Sequence, residues 1–191
     1  MGMKLNESSH EYIKRMRWLK IRFFLYAILG KQVHFLKKHD ILSYCGEKVL
    51  FKPLTLPRNP KLIKLHNNVK IAANVVFYEH DIINSVFMHI DKNKGGNWKL
   101  HQSAIEIFDN SFVGGSSILI GPLKIGPNAI VAAGSVVVSD VPEGKIVAGN
   151  PAKVVGDFYS LYKKRLTTDY SENDSQYVLP DDKIWEQFMV R

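Results

Sequence analysis

A chain of 191 residues, 46% of them hydrophobic, has the size of one main domain with a single core. Its one cysteine, Cys45, excludes an intramolecular disulfide framework and a Cys-based zinc site, and favours a reducing compartment. The net charge of +8 is uneven: nine Lys and Arg against Glu7, Glu11 and Asp40 put +6 into residues 1–40 and leave +2 for the rest. The opening MGMKLNESSH lacks the apolar stretch of a signal peptide, and no apolar run approaches the ~20 residues of a spanning helix. Together these predict a cytoplasmic protein, with the inner face of the membrane as a possible station for its basic end.

In chain order, Tyr12–Lys38 reads as helix, with Trp18, Phe23, Phe24, Tyr26, Ile28 and Leu29 interleaved with Lys and Arg. Two readings stay open for this arm of residues 1–40. It is a basic amphipathic helix at an anionic membrane surface, or an ordinary helix packed on its own fold or a neighbouring subunit. Its apolar residues form a block more than a stripe, which favours the second. Nucleic-acid binding is not expected, because no recognised nucleic-acid module accompanies the charge.

The segment CGEKVLFKPLTLPRNPKLIK, with Pro53, Pro57 and Pro60, suits a first, irregular turn of structure. Beyond it Leu65, Ile71, Phe77 and Ile83 fall six apart, and the fourth position of each unit reads Asn68, Asn74, His80. Periodicity then fails over residues 84–104, which contain Gly95-Gly96 and several charges and read as an expelled loop. It resumes as Ile107, Val113, Leu119, Ile125, Val131 and Val137, while Asn110 recurs as Asn128 and Ser117 as Ser135, 18 residues on. A period of six is neither helical nor that of a hairpin. It fits a parallel β-helix, mainly β, in which three hexapeptides make one triangular coil and each sixth aliphatic stacks inward ~4.8 Å from its equivalent. Asn or Gly at the corners tolerates the left-handed backbone needed to turn. After the coil domain (41–156) come a helix over Asp157–Leu166 expected to cap the solenoid, a polar stretch, and a short helix over Asp181–Val190 in a tail of 157–191.

The repeat, the loop and the segment IGPNAIVAAGSVVVSDVPEGKIVAGNPAKVVG together resemble the hexapeptide-repeat acyltransferases with a left-handed β-helix, nearest the galactoside, maltose and capsular polysaccharide O-acetyltransferase branch. The resemblance covers about residues 41–156. It implies a homotrimer with active sites between neighbouring coils, acetyl-CoA as donor, a hydroxyl or amine as acceptor, and direct transfer assisted by a histidine base.

His80 matches the position of that histidine, and imidazole suits proton abstraction near neutral pH. Glu79 or Asp81 is the candidate to orient its ring, although successive strand residues face opposite ways. On the acceptor side, the loop offers Asn84, Asn97 and Trp98, the last as a sugar-stacking platform or as a residue packing the loop. On the donor side, Gly114, Gly115 and Ser116 match the turn near the thioester, with the Gly115 N–H as oxyanion donor. Ala132, Ala133 and Gly134 match the path of the pantetheine, and Lys153 a cation facing the CoA phosphates. Coil turns need small residues in any case, and Lys153 also reads as a solvated lysine. Metal is not expected. The zinc site of related γ-class carbonic anhydrases would need His80 with His89 or His101 in one cleft, and this loop carries Asn, Lys and Trp instead. IGPLK inverts the common Pro-Gly turn, and Asn84 stands where some relatives carry another His. The expected activity is acetyl-CoA-dependent O-acetylation of a saccharide, a cell-surface polysaccharide or its precursor. The alternatives are amino-sugar N-acetylation and a non-catalytic scaffold.

Overall fold

The protein is described here from a computed structural model, which describes residues 9–90, 98–166 and 181–189. The hexad pattern folds into three parallel sheets that form the faces of a coil. The first face holds Tyr44–Cys45, Ile63–Leu65, Ile105–Ile107 and Leu123–Ile125. The second runs from Leu50–Phe51 through Lys70–Ile71, Phe112–Val113 and Ile130–Val131 to Lys145–Gly149. The third holds Val76–Tyr78, Ile118–Ile120 and Val136–Val137.

Register explains why every sixth residue is aliphatic. Leu65 pairs with Ile107 and Ile107 with Ile125; Ile71 with Val113, Val131 and then Val147; Phe77 with Leu119 and Val137. All are buried, so each column is a stack of apolar side chains running up the inside. Burying one such side chain is worth about 1.5–3 kcal/mol. Ile83 departs from the expected series: it is 51% exposed and begins a helix. From Phe77 to the next position of the hexad series, Ile107, the distance in sequence is therefore 30 rather than six.

The corners follow the expected chemistry. Asn68, Asn110 and Asn128 take φ of 56°, 57° and 51°. Their amides form a ladder: Asn68 Nδ2 donates to Asn110 Oδ1 and Asn110 Nδ2 to Asn128 Oδ1, each at 3.0 Å. Asn110→Ala puts a Cβ residue without the local hydrogen bonds into a left-handed position and breaks both rungs. The expected loss is about 2 kcal/mol by urea unfolding, and an unchanged midpoint would contradict the ladder's role.

The amino-terminal helix is two helices, α1 (Ser9–Ile28) and α2 (Gln32–Lys38). Gly30, at φ 66°, ends the first; the Lys31 N–H reaches back to the Tyr26 carbonyl at 2.8 Å, a Schellman closure. Met16, Leu19, Phe23 and Ala27 join one core cluster with Phe35, Leu36 and Phe51. The Phe23 ring lies edge-on to Phe35 at 5.5 Å and to Phe51 at 6.2 Å, so α1 packs on the first coil.

At the other end, Ala152–Asp157 folds back antiparallel on Lys145–Gly149, with Ala148 opposite Lys153. AGNPAKVV is thus a hairpin that covers the last parallel strand. The compact unit of the coil ends at Phe158. Two further helices follow, α4 (Phe158–Leu166), which starts at the last residue of that unit, and α5 (Asp181–Met189).

Candidate active site

The excursion leaves the coil after the third face and closes on itself at a narrow neck. His80 bridges antiparallel to Gln102, the Ser103 N–H donates to the Glu79 carbonyl at 2.8 Å, and the Asp81 N–H to the His101 carbonyl at 3.3 Å. His80 is therefore in an extended hairpin rather than at a left-handed corner like Asn68 and Asn74. Beyond the neck, Asp81 Oδ1 accepts the Ile83 N–H at 2.9 Å, an Asx turn that starts α3 (Ile83–Ile90). The expelled loop is thus partly helical.

Glu79 shares the inward phase of Phe77 and is fully buried. Its Oε1 accepts the Asn59 N–H from the preceding coil and lies 4.0 Å from His80 Nδ1. Glu79 Oε2 and His80 Nδ1 are both buried atoms with no hydrogen-bond partner among the described residues. A buried carboxylate that is only half satisfied is costly. A positive charge on the adjacent imidazole offsets that cost, which is the situation of a histidine that has just taken a proton. With Nδ1 turned toward Glu79, Nε2 lies on the other side of the ring. Asp81, engaged in the turn, starts α3. Asn59, Gln102 and Ser103 went unnoticed in the sequence because their contribution is main-chain.

Asn84 Nδ2 lies 3.5 Å from the Trp98 carbonyl, and the Trp98 ring is 5.0 Å from Phe87 of α3. Trp98 thus packs within the excursion while 44% of it remains exposed. Asn97 lies outside the described residues.

The candidate donor residues separate into two kinds. Gly114 is buried, donates its N–H to the Val131 carbonyl at 2.8 Å, and has no room for a side chain: a Cβ there would sit 2.4 Å from the Ala133 nitrogen. The Ala132 carbonyl is occupied by the hydroxyls of Ser117 and Ser135 at 3.0 and 2.7 Å, and the Ala132 N–H donates to Val147 at 2.9 Å. Ser116 turns the corner at φ 58° and Gly134 at φ 72°. Gly115 is half-buried, its carbonyl accepts the Gly134 N–H at 2.9 Å, and among the described residues its own N–H meets no acceptor. Ala133 is exposed beside it on the next coil. Lys153 is exposed on the returning strand, at the edge of a depression of about 120 Å³ shared with Val137, Asp140, Val147 and Val154.

Within this chain Gly115 and His80 lie at opposite ends of the third face. Gly115 sits level with Ala73, where the chain enters the third face, and His80 follows the exit from that face. Seven residues separate Ala73 from His80, at most about 23 Å at the rise of an extended chain.

Among the described residues, no three or more His, Cys, Asp or Glu are grouped to hold a metal ion. His66 is instead a hydrogen-bond partner, its Nε2 2.8 Å from Glu106 Oε1. That hydrogen bond, with Lys64 nearby, holds the Glu106 carboxyl below the usual carboxylate range. Its stabilisation is present above the unfolded carboxylate value and is lost as pH falls through the folded one.

No protein-family model matches the chain. It is 31% identical over 137 residues to a Saccharomyces cerevisiae protein whose acetyltransferase designation is itself provisional, covering 72% of this chain and 59% of that one. The chain therefore spans about three fifths of that relative's length. Its fold matches a maltose O-acetyltransferase from Clostridium difficile 630 with a TM-score of 0.56 at 20% identity, over 76% of this chain and 87% of the other. It also matches a hexapeptide-repeat acetyltransferase from Vibrio cholerae, solved with acetyl-CoA, with a TM-score of 0.54 at 19% identity, over 82% and 96%. With stacked hexads, left-handed Asn corners and these matches, the chain has the fold of the hexapeptide-repeat acetyltransferases.

Proposed function

We propose that the protein is an acetyl-CoA-dependent O-acetyltransferase acting on a saccharide hydroxyl, of a surface polysaccharide or its precursor, as a homotrimer. The observation that carries this reading is the Glu79–His80 pair at the neck of the excursion, with the Glu79 carboxylate buried and half-satisfied and the His80 ring half-buried against it. A β-helix scaffold has no use for it. His80 Nε2 takes the hydroxyl proton as the oxygen attacks the thioester carbonyl. The oxyanion that forms is met by the Gly115 N–H, and its collapse expels the CoA thiolate, which receives the proton back from the imidazolium. Glu79 stabilises the imidazolium between the two proton transfers.

The separation of His80 from Gly115 supports a site shared between subunits. So does the outer surface of the third face, where Val76, Tyr78, Ile120 and Val138 are 37–50% exposed and carry no charge. A surface of that kind suits burial against another copy. If His80 of one subunit works with Gly115 of the next, His80→Ala and Gly115→Pro are each inactive alone. Co-expressed in equal amounts, they assemble one intact site in about four. Recovery of about a quarter of wild-type turnover supports the shared site; none, with both variants folded and mixed trimers isolated, contradicts it.

Lys153 is the residue proposed to face the CoA phosphates. Lys153→Glu is expected to raise the Michaelis constant for acetyl-CoA about tenfold with little change in kcat, and an unchanged constant would remove the contact.

A further inference from the structure

Helix α1 has two apolar faces, and the coil covers only one. Met16, Leu19, Phe23 and Ala27 are buried, whereas Trp18, Ile21, Leu25 and Ile28 are 56–64% exposed and Phe24 is 47% exposed. At 3.6 residues per turn the exposed five occupy an arc of about 120°, opposite the buried one. That is an extended apolar surface left to water, larger than scattered exposed residues would give.

Charge decides between occupants. The helix carries Lys14, Arg15, Arg17, Lys20 and Arg22 against the single acid Glu11. Lys14 and Arg17 are exposed and lie on the same arc, toward the amino end, while Lys20 borders it. A second copy of this helix would bury those cations against equal charges. The uncharged third face is the better surface for self-association. A protein partner of unknown charge has no support here, whereas an anionic lipid surface meets both features: it takes the apolar side chains at its acyl boundary and the cations at its headgroups. No helix of the described residues is long and apolar enough to cross a membrane, so the contact lies along the surface.

We propose that the outer face of α1 docks the protein on an anionic lipid surface, with Trp18, Ile21, Leu25 and Ile28 as the inserted residues and Lys14, Arg17 and Lys20 as the headgroup contacts. The docking is independent of the proposed reaction and is tested without it. Full-length protein is sedimented with vesicles of phosphatidylcholine alone and with vesicles containing about one quarter phosphatidylglycerol. Binding is expected to the anionic vesicles, at least about tenfold weaker to the neutral ones, and weakened by salt. Lys14→Gln/Arg17→Gln/Lys20→Gln should reduce it about a hundredfold, and Trp18→Ser/Leu25→Ser should abolish it. All of these side chains except that of Lys20, on the border, lie on the exposed arc, so the variants keep the core intact. Wild-type protein that stays in solution with anionic vesicles overturns the proposal, as do variants that sediment like wild type. Dissociation of the free oligomer in Trp18→Ser/Leu25→Ser would assign the face to a second copy and overturn it equally.

Discussion

His80→Ala is expected to slow acetyl transfer by about 10²–10⁴-fold while leaving the unfolding midpoint within error of wild type. The loss follows from the role: without the imidazole, the attacking hydroxyl must shed its proton to water, and the leaving thiolate must find one there. The effect should fall on kcat more than on the Michaelis constant for acetyl-CoA, because the ring is proposed to touch the acceptor oxygen rather than the donor. Glu79→Gln provides the sharper test of the pair. It keeps the shape and an oxygen for the Asn59 N–H, but removes the charge that stabilises the imidazolium. It should lower kcat about 10–100-fold while leaving the unfolding midpoint close to that of wild type. A merely structural Glu79 would leave kcat of the folded variant unchanged.

The largest structural effect is expected at Gly114. A Cβ there would lie 2.4 Å from the Ala133 nitrogen and 2.7 Å from its Cα, both main-chain atoms of the next coil. Neither atom can move without shifting the coil that holds it, and the Gly114 N–H already ties the two coils through the Val131 carbonyl. Gly114→Ala should therefore cost about 3 kcal/mol or more in urea unfolding, beyond the usual range for a single added methyl. Gly134→Ala is the matched control. Nothing lies within 4 Å of its Cβ position, but φ is 72°, so only backbone strain of about 1–2 kcal/mol is expected. Equal losses at the two positions would contradict the steric account.

The contrast between these glycines marks what the sequence could convey. The inward columns were legible because a buried hexad position accepts little except an aliphatic, and Asn68, Asn110 and Asn128 were legible because few residues tolerate their φ. Ile83 misled because it satisfies two patterns at once. It lies six beyond Phe77, and it also opens the series Ile83, Val86, Phe87, Ile90, whose spacing is helical. Asp81 before that series was the available sign of a helix start. The strand alternation that placed Phe77 inside also placed Glu79 inside, yet a buried carboxylate is legible only once its partners are known. One of those partners is the main-chain N–H of Asn59, which no side-chain pattern announces. Gly114 and Gly115 look alike in sequence. Only the approach of the next coil separates the glycine that packing demands from the one whose N–H is left unused.

The most direct test of acetyl transfer by His80 is acceptor-dependent release of free thiol from acetyl-CoA across a panel of mono- and oligosaccharides, with the product treated with hydroxylamine. Thiol release that requires the saccharide, yields a hydroxylamine-labile ester and disappears in His80→Ala is the predicted result. No thiol release with any acceptor, together with no calorimetric binding of acetyl-CoA, would contradict it and leave the coil as a scaffold.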